Sequence, residues 1–164
     1  MDFSRPSSYE EAPSDINEIV KSAVGIIKYD RRSKNLTYSL NLEPELPKTI
    51  LVSDHLLQVF LNILINSVDA CEGSGDEISV NSFIRSENIH IEFSDKGIGI
   101  PEQIQKKIFE PFFTTKEVGK GTGLGLTVSY GFIKKLKGEI KVKSEEGKGS
   151  IFSVIIPVRT YIEE

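Results

Sequence analysis

Cysteine occurs once in this sequence, at Cys71, which excludes an intrachain disulfide framework and gives no zinc site on its own. That scarcity fits a reducing, cytoplasmic setting. Long apolar runs are missing too: none approaches the roughly 18 residues of a membrane span, and the N-terminus lacks the charged-then-apolar layout of a signal peptide. No membrane contact is expected of this stretch of chain, and any anchor of its parent protein lies outside it. Basic residues are not in excess. The net charge of −4 argues against a dedicated nucleic-acid binder, whose footprint is a basic patch or stripe. What is present is 164 residues with 38% hydrophobic content, enough for one globular domain with a core of its own.

Residues 1–13, rich in Ser, Pro and Glu without apolar period, read as a tether, and 159–164 as a C-terminal tail. Between them, Ser14 or Asp15 is suited to cap a helix in which Ile16, Ile19, Val20, Ala23 and Ile27 recur at helical spacing up to about Tyr29. Leu36, Tyr38, Leu40 and Leu42 alternate as in a strand with one buried face, and a short strand at 49–52 follows. The alternating stretches 77–84 and 88–94 form one hairpin, and 139–143 with 150–156 a second. Helices are predicted at about 54–71 and 126–137, the latter stopped by Gly138 in a left-handed conformation. The sum is an α+β fold, a two-layer sandwich of a mixed, mostly antiparallel sheet with helices on one face. The stretch from Ser94 to Leu126 departs from this regularity. It holds six of the thirteen glycines and little period, and loops of that length in a compact domain are commonly functional.

Two features there and nearby bear on chemistry. The helix at 54–71 has no charged residue between His55 and Asp69, so it must be largely buried, yet Gln58, Asn62, Asn66 and Asp69 fall within one narrow arc. A solvent face would carry Lys and Glu. A stripe of carboxamides instead lines a polar cavity, because burying amides without partners costs about 2 kcal/mol or more each. An asparagine oxygen also suits a hard cation such as Mg²⁺. The second feature is a pair of glycine loops. Asp95-Lys-Gly97-Ile-Gly99-Ile100 places one carboxylate at a strand end, and Gly119-Lys120-Gly121-Thr122-Gly123-Leu124-Gly125-Leu126 opens into a helix, whose backbone N–H groups and dipole favour phosphate. Neither matches a P-loop or a dinucleotide-binding turn.

Taken in order, these segments resemble the ATP-binding domain shared by histidine kinases, DNA gyrase, the Hsp90 chaperone and MutL. The resemblance spans residues 14–158 and rests on five motifs: Asn62-Ile-Leu-Ile-Asn66-Ser-Val-Asp69-Ala70; Asp95 to Ile100; Phe109-Glu-Pro-Phe112-Phe113-Thr-Thr-Lys116; Gly119 to Leu126; and Gly147-Lys-Gly149-Ser150-Ile-Phe152. The third motif is characteristic of the kinases, and details of the set look most like their nitrogen-regulation subgroup. The implied fold is the Bergerat type. The implied site has Asp95 accepting a hydrogen bond from the adenine amino group, and Gly99 letting the backbone and a water approach the ring, with Gly97 among the cofactor-binding positions. Ile100, Leu126 and Phe152 supply apolar walls, Asn66 ligates Mg²⁺, and Asn62 supports the phosphate side. Gly121, Gly123 and Gly125, with Thr122 and Leu124, wrap the phosphates of ATP, and residues 101–122 form a lid with Phe109 as part of its latch. Two departures stand out. Asp69 occupies the place where many such kinases carry a phosphate-contacting lysine, which leaves Lys116 or Lys120 for that contact, and Ser150 replaces a usual threonine.

A protein histidine kinase is the function the resemblance implies, with an ATPase or a nucleotide-dependent binding switch as alternatives on the same fold. In the hydrolase branch a glutamate acts as general base one turn before the magnesium asparagine. Here that position is Asn62, which favours phosphoryl transfer to an external nucleophile. Neither His55 nor His90 suits the phosphoacceptor: His55 is followed by Leu56 and His90 alternates away from Ile89 and Ile91 towards solvent. The acceptor is expected on a dimerisation and phosphoacceptor hairpin upstream, whose second helix Asp2–Pro6 resemble the end of, with a response regulator engaged through that domain. The chain by itself is expected to be monomeric.

Overall fold

A computed structural model describes residues 9–73, 77–111 and 125–161 of the chain. The five-stranded sheet has the order β2(Thr37–Leu42), β4(Glu77–Arg85), β5(Asn88–Asp95), β7(Gly149–Pro157), β6(Glu139–Glu145). β2 runs parallel to β4 and every other pairing is antiparallel. One face of the sheet carries α1(Ile16–Ile27), α2(Ser53–Cys71) and α4(Gly125–Lys135), with the short α3(Glu102–Gln105) near its β6 edge. The α+β sandwich read from the sequence is therefore the fold. Among the described residues no helix is long and apolar enough to cross a membrane.

The period of each element explains its placement. α1 starts where Asp15 accepts the Glu18 N–H, and buries Ile16, Ile19, Val20, Ala23, Val24 and Ile27 against α2. α2 turns Leu56, Val59, Phe60, Ile63, Leu64 and Val68 into the core, where the Phe60 ring meets Phe93 of β5 at 5.2 Å in a tilted pair. Ile78, Val80, Ile89, Ile91, Phe93, Phe152, Val154 and Ile156 complete the sheet side of that core, each from alternate strand positions.

Three expectations need correction. The supposed tether is partly structured: β1(Ala12–Ser14) pairs antiparallel with β3(Thr49–Leu51) in a separate two-stranded ribbon. The supposed tail begins too early, because Arg159 accepts the Ile50 N–H through its carbonyl and donates its own N–H to Thr49 Oγ1, with its side chain paired to Glu11. These few residues have no period of their own, and their partners are distant in sequence. The end of α4 also differs. Lys137, not Gly138, takes the left-handed conformation (φ 61°), while Gly138 donates its N–H to Ile133 O. Gly138 is required for space: a Cβ there would lie 2.3 Å from the Ile155 carbonyl oxygen on β7.

The two residues should therefore respond in opposite ways. Lys137→Gly relieves a left-handed non-glycine residue and is expected to stabilise the fold by about 1 kcal/mol. Gly138→Ala should destabilise it by about 1–3 kcal/mol, because backbone on β7 must give way. Urea unfolding of the two variants checks the pair, and equal effects of the same sign would contradict this assignment.

Candidate nucleotide site

The polar edge of α2 is the floor of the site. Asn62 Nδ2 donates to the Gly125 carbonyl at 3.0 Å and to Ser129 Oγ at 3.1 Å, fastening the first turn of α4 to the middle of α2. One turn on, Asn66 Nδ2 donates to the Asn62 carbonyl at 2.8 Å. The amide nitrogen is thus spent inside the helix, and Oδ1 is left as an acceptor, the atom a hard cation takes. Among the described residues no group of three or more His, Cys, Asp or Glu is placed to hold a metal. Gln58, counted in the same stripe, is exposed.

Asp69 is half-buried, and its Oδ1 is ion-paired with Arg32 Nη1. Arg32 comes from a single 3-10 turn, Arg31–Ser33, that follows α1. Its guanidinium also clasps Asp30, through Nε to Oδ1 at 3.0 Å and Nη2 to Oδ2 at 2.8 Å. Hydrogen bonds from the Arg32 side chain, then from its backbone N–H, hold the Asp30 carboxyl down at about 2. Nothing local in the sequence announces Arg32. It meets Asp69 only because the connection between α1 and β2 passes the C-terminal end of α2.

Asp95 ends β5 with only 6% of its surface exposed, and its Oδ1 accepts the Gly97 N–H at 2.9 Å. Burial pushes its carboxyl above the usual carboxylate range, against the N–H groups of Gly97 and Ser150, which favour the charged form. The Ser67 hydroxyl on α2 lies beside the carboxylate and pulls the same way as those N–H groups, without closing a hydrogen bond of full geometry.

The first glycine loop is wedged between α2 and the β6–β7 turn. A Cβ on Gly97 would lie 2.3 Å from the Ala70 carbonyl oxygen, which accepts the Ile98 N–H at 3.0 Å. Gly99 has φ 74° and would bring a Cβ within 2.1 Å of Glu145 O. On the strand side, Ile98 O accepts from Gly147 N–H at 2.7 Å, and Ile100 N–H donates to Ser144 Oγ at 2.7 Å. Ser144 Oγ in turn shares a 2.7 Å hydrogen bond with Ser150 Oγ, and Gln105 Nε2 caps the arrangement by donating to the carbonyls of Ile100 and Ser144. The Ser150 hydroxyl therefore serves the loop. Ile100 and Leu126 are half-buried and Phe152 is buried, as apolar walls require.

Phe109 packs on Tyr130 of α4 with ring centroids 5.7 Å apart, and its carbonyl accepts Thr127 Oγ1 at 2.8 Å. Lys116, Lys120, Gly121, Thr122, Gly123 and Leu124, like Phe112 and Phe113, lie outside the described residues; Gly125 and Leu126 open α4. Of the two histidines, His55 stacks on Phe132 at 4.2 Å. His90 is not simply turned to solvent: it is half-buried on the sheet face away from the helices, stacked on Phe83 at 4.8 Å. Burial, then Arg85, lowers its pKa.

The chain belongs to the family of histidine kinase-, DNA gyrase B- and HSP90-like ATPases, whose pattern matches residues 51–160. Within that family its relatives are sensor kinases. It is 36% identical over 156 residues to sporulation kinase E of Bacillus subtilis (strain 168), an alignment covering 95% of this chain and 21% of that kinase. Over 159 residues it is 35% identical to the signal transduction histidine-protein kinase AtoS of Escherichia coli (strain K12), covering 96% of this chain and 26% of that one. The chain thus spans about a fifth to a quarter of the length of these relatives. Among solved structures, the nucleotide-free catalytic domain of the histidine kinase ThkA matches with a TM-score of 0.80 at 27% identity, over 92% of this chain and 97% of that domain. Fold, polar edge and relatives together set the chain with the histidine-kinase branch of an ATP-binding family.

The raised Asp95 pKa has a measurable sign. The folded state favours the protonated carboxyl, so the stability it contributes is present below the ordinary carboxylate value and is lost as pH rises through the folded pKa. Relative to Asp95→Asn, the wild type should lose stability across that acid window and then stay level towards neutrality. Urea unfolding over a pH series measures this; a difference independent of pH would mean that the carboxyl ionises as freely as an exposed one.

Proposed function

We propose that this chain is the ATP-binding catalytic domain of a two-component sensor histidine kinase, which transfers the γ-phosphate of ATP to a histidine on a separate helical-hairpin domain of its parent protein. The observation that carries this reading is Asn62. One turn before Asn66, where a hydrolase of this family needs a carboxylate to deprotonate water, stands an amide that donates to Gly125 O and Ser129 Oγ. An amide so engaged cannot accept a proton, which suits transfer to an external nucleophile, where catalysis is mainly positioning and charge stabilisation.

In this reading Asp95 accepts from the adenine amino group, a contact that guanine does not offer at that position, while Ile100, Leu126 and Phe152 enclose the ring. Asn66 Oδ1 fits a Mg²⁺ ligand because its own amide nitrogen is already bonded within the helix. When bound, Mg²⁺ neutralises charge on the phosphates. Gly121, Gly123 and Gly125 wrap the phosphates, and Lys116 or Lys120 supplies the cation that position 69 does not. The parent's phosphoacceptor domain is the protein partner, a response regulator is engaged through it, and the domain works in the cytoplasm.

Calorimetry with Mg-ATP tests the adenine contact: Asp95→Asn removes a charge-assisted acceptor and should cost about 1.5–3 kcal/mol of binding. Since the charged acceptor is what binds, wild-type affinity should fall on acidification at a pH above the ordinary carboxylate value, whereas the variant should not show this loss. The chemistry is tested by mixing. Alone, the chain should neither label itself nor hydrolyse ATP appreciably; mixed with the helical-hairpin domain of its parent, it should yield an acid-labile, base-stable phosphohistidine, and Asn66→Ala should abolish that product. Brisk ATP turnover by the chain alone, stopped by Asn62→Ala, would assign it to the hydrolase branch instead.

A further inference from the structure

One carboxylate stands on the edge of α2 that the proposed function gives to the nucleotide. Asp69 lies three residues after Asn66, on the same side of the helix, and is followed by Ala70, whose carbonyl anchors the first glycine loop. An unbalanced carboxylate there would repel a polyphosphate. The chain meets this with an arginine from another element. Arg32 sits on the 3-10 turn after α1, outside the residues 51–160 that match the family pattern. Asp30 takes its Nε and Nη2 in a bidentate clasp, a geometry that fixes the plane of the guanidinium and leaves Nη1 for Asp69. Asp30 is thereby an orienting group: with the fork held on one edge, the remaining nitrogen has one direction open to it, and that direction is Asp69.

We propose that Arg32 is a positioning residue of the nucleotide site, which acts through its ion pair with Asp69 to cancel the carboxylate charge on the α2 edge beside Asn66 and so permits a polyphosphate to bind there. The proposal rests on the nucleotide-site reading above. It separates two jobs that a single lysine at position 69 would combine: Arg32 neutralises the wall, while contact with the phosphates falls to other groups. Arg32 does not touch the nucleotide, and its effect passes entirely through Asp69. This makes its loss reversible by removal of the charge it compensates, and confines the loss to a ligand that carries phosphates.

The experiment is a double-mutant cycle on the whole chain, with Mg-ATP and adenosine as probes in calorimetry and thermal unfolding to confirm folding. Arg32→Gln should weaken Mg-ATP binding about fivefold or more, because it exposes an uncompensated charge, and should leave adenosine affinity unchanged. Arg32→Lys should retain most of the ATP affinity. Asp69→Asn alone should bind Mg-ATP at least as tightly as wild type, and Arg32→Gln combined with Asp69→Asn should recover to within about twofold of wild type, since the charge to be cancelled has gone. Wild-type ATP affinity in Arg32→Gln, a double variant as weak as Arg32→Gln, weaker binding by Asp69→Asn, or a parallel loss of adenosine affinity would each overturn the proposal. Failure of the wild type itself to bind Mg-ATP would instead sink the nucleotide-site reading on which it stands, an outcome visible before any variant is compared.

Discussion

The close approach of the β5 end to the last turns of α2 is the constraint on which the rest depends. A carbonyl on α2, that of Ala70, has a backbone N–H of the glycine loop as its partner and leaves no room for a side chain at Gly97. That contact fixes how far the helix can stand from the sheet at this end. It thereby sets the separation between Asp95 on the strand and the amides on the helix, two groups that no shared element connects. The β6–β7 turn closes on the same loop from the other side, with Gly147, Ser144 and Gly149 each meeting backbone around Asp95 to Ile100. A carboxylate can be held in so little space because the donors around it belong to backbone that cannot withdraw.

Burial and ionisation pull in opposite directions at Asp95. Its desolvation raises the cost of the charge, whereas the N–H groups of Gly97 and Ser150 recover part of it. Such a residue is a poor choice for stability, and under the proposed function it gains from a ligand the hydrogen bond that the fold withholds. Asn62 shows the same economy in another form. Its side chain joins α2 to the start of α4, so a residue on the polar edge also sets where the second glycine loop ends.

Much of this was legible from the residues alone, and the reasons differ by element. α1, α2 and both hairpins carry a period that only one face of one structure can satisfy, and the polar stripe on α2 stood out because carboxamides break the pattern of an otherwise apolar helix. Asp95 was visible as a lone carboxylate ahead of two glycines. By contrast, β1 is three residues long and its partner lies far along the chain, so no local pattern marks it. The parallel pairing of β2 with β4 is likewise a fact of topology. Gly138 follows a helix as a left-handed residue would, yet its need is steric, a distinction that depends on where β7 passes. Arg32 is the clearest case: a charged residue after a helix is unremarkable until its partner is known to be Asp69. Lys116 and Lys120, to which the motifs point, lie outside the described residues.

The hydrogen bond from Thr127 to the Phe109 carbonyl, with the Phe109–Tyr130 contact beside it, brings both ends of the segment between Phe109 and Gly125 to the same spot on α4. Closing a flexible chain between two such points costs mainly entropy, and doubling its length adds only about 0.6 kcal/mol. The anchors on either side thus place little thermodynamic constraint on how many residues run between them. Any limit on that number must come from what those residues do, and not from the sheet and the core, whose geometry is set elsewhere. The four residues between Asp95 and Ile100 are limited in the other way, by the backbone of Ala70 and Glu145 packed against them.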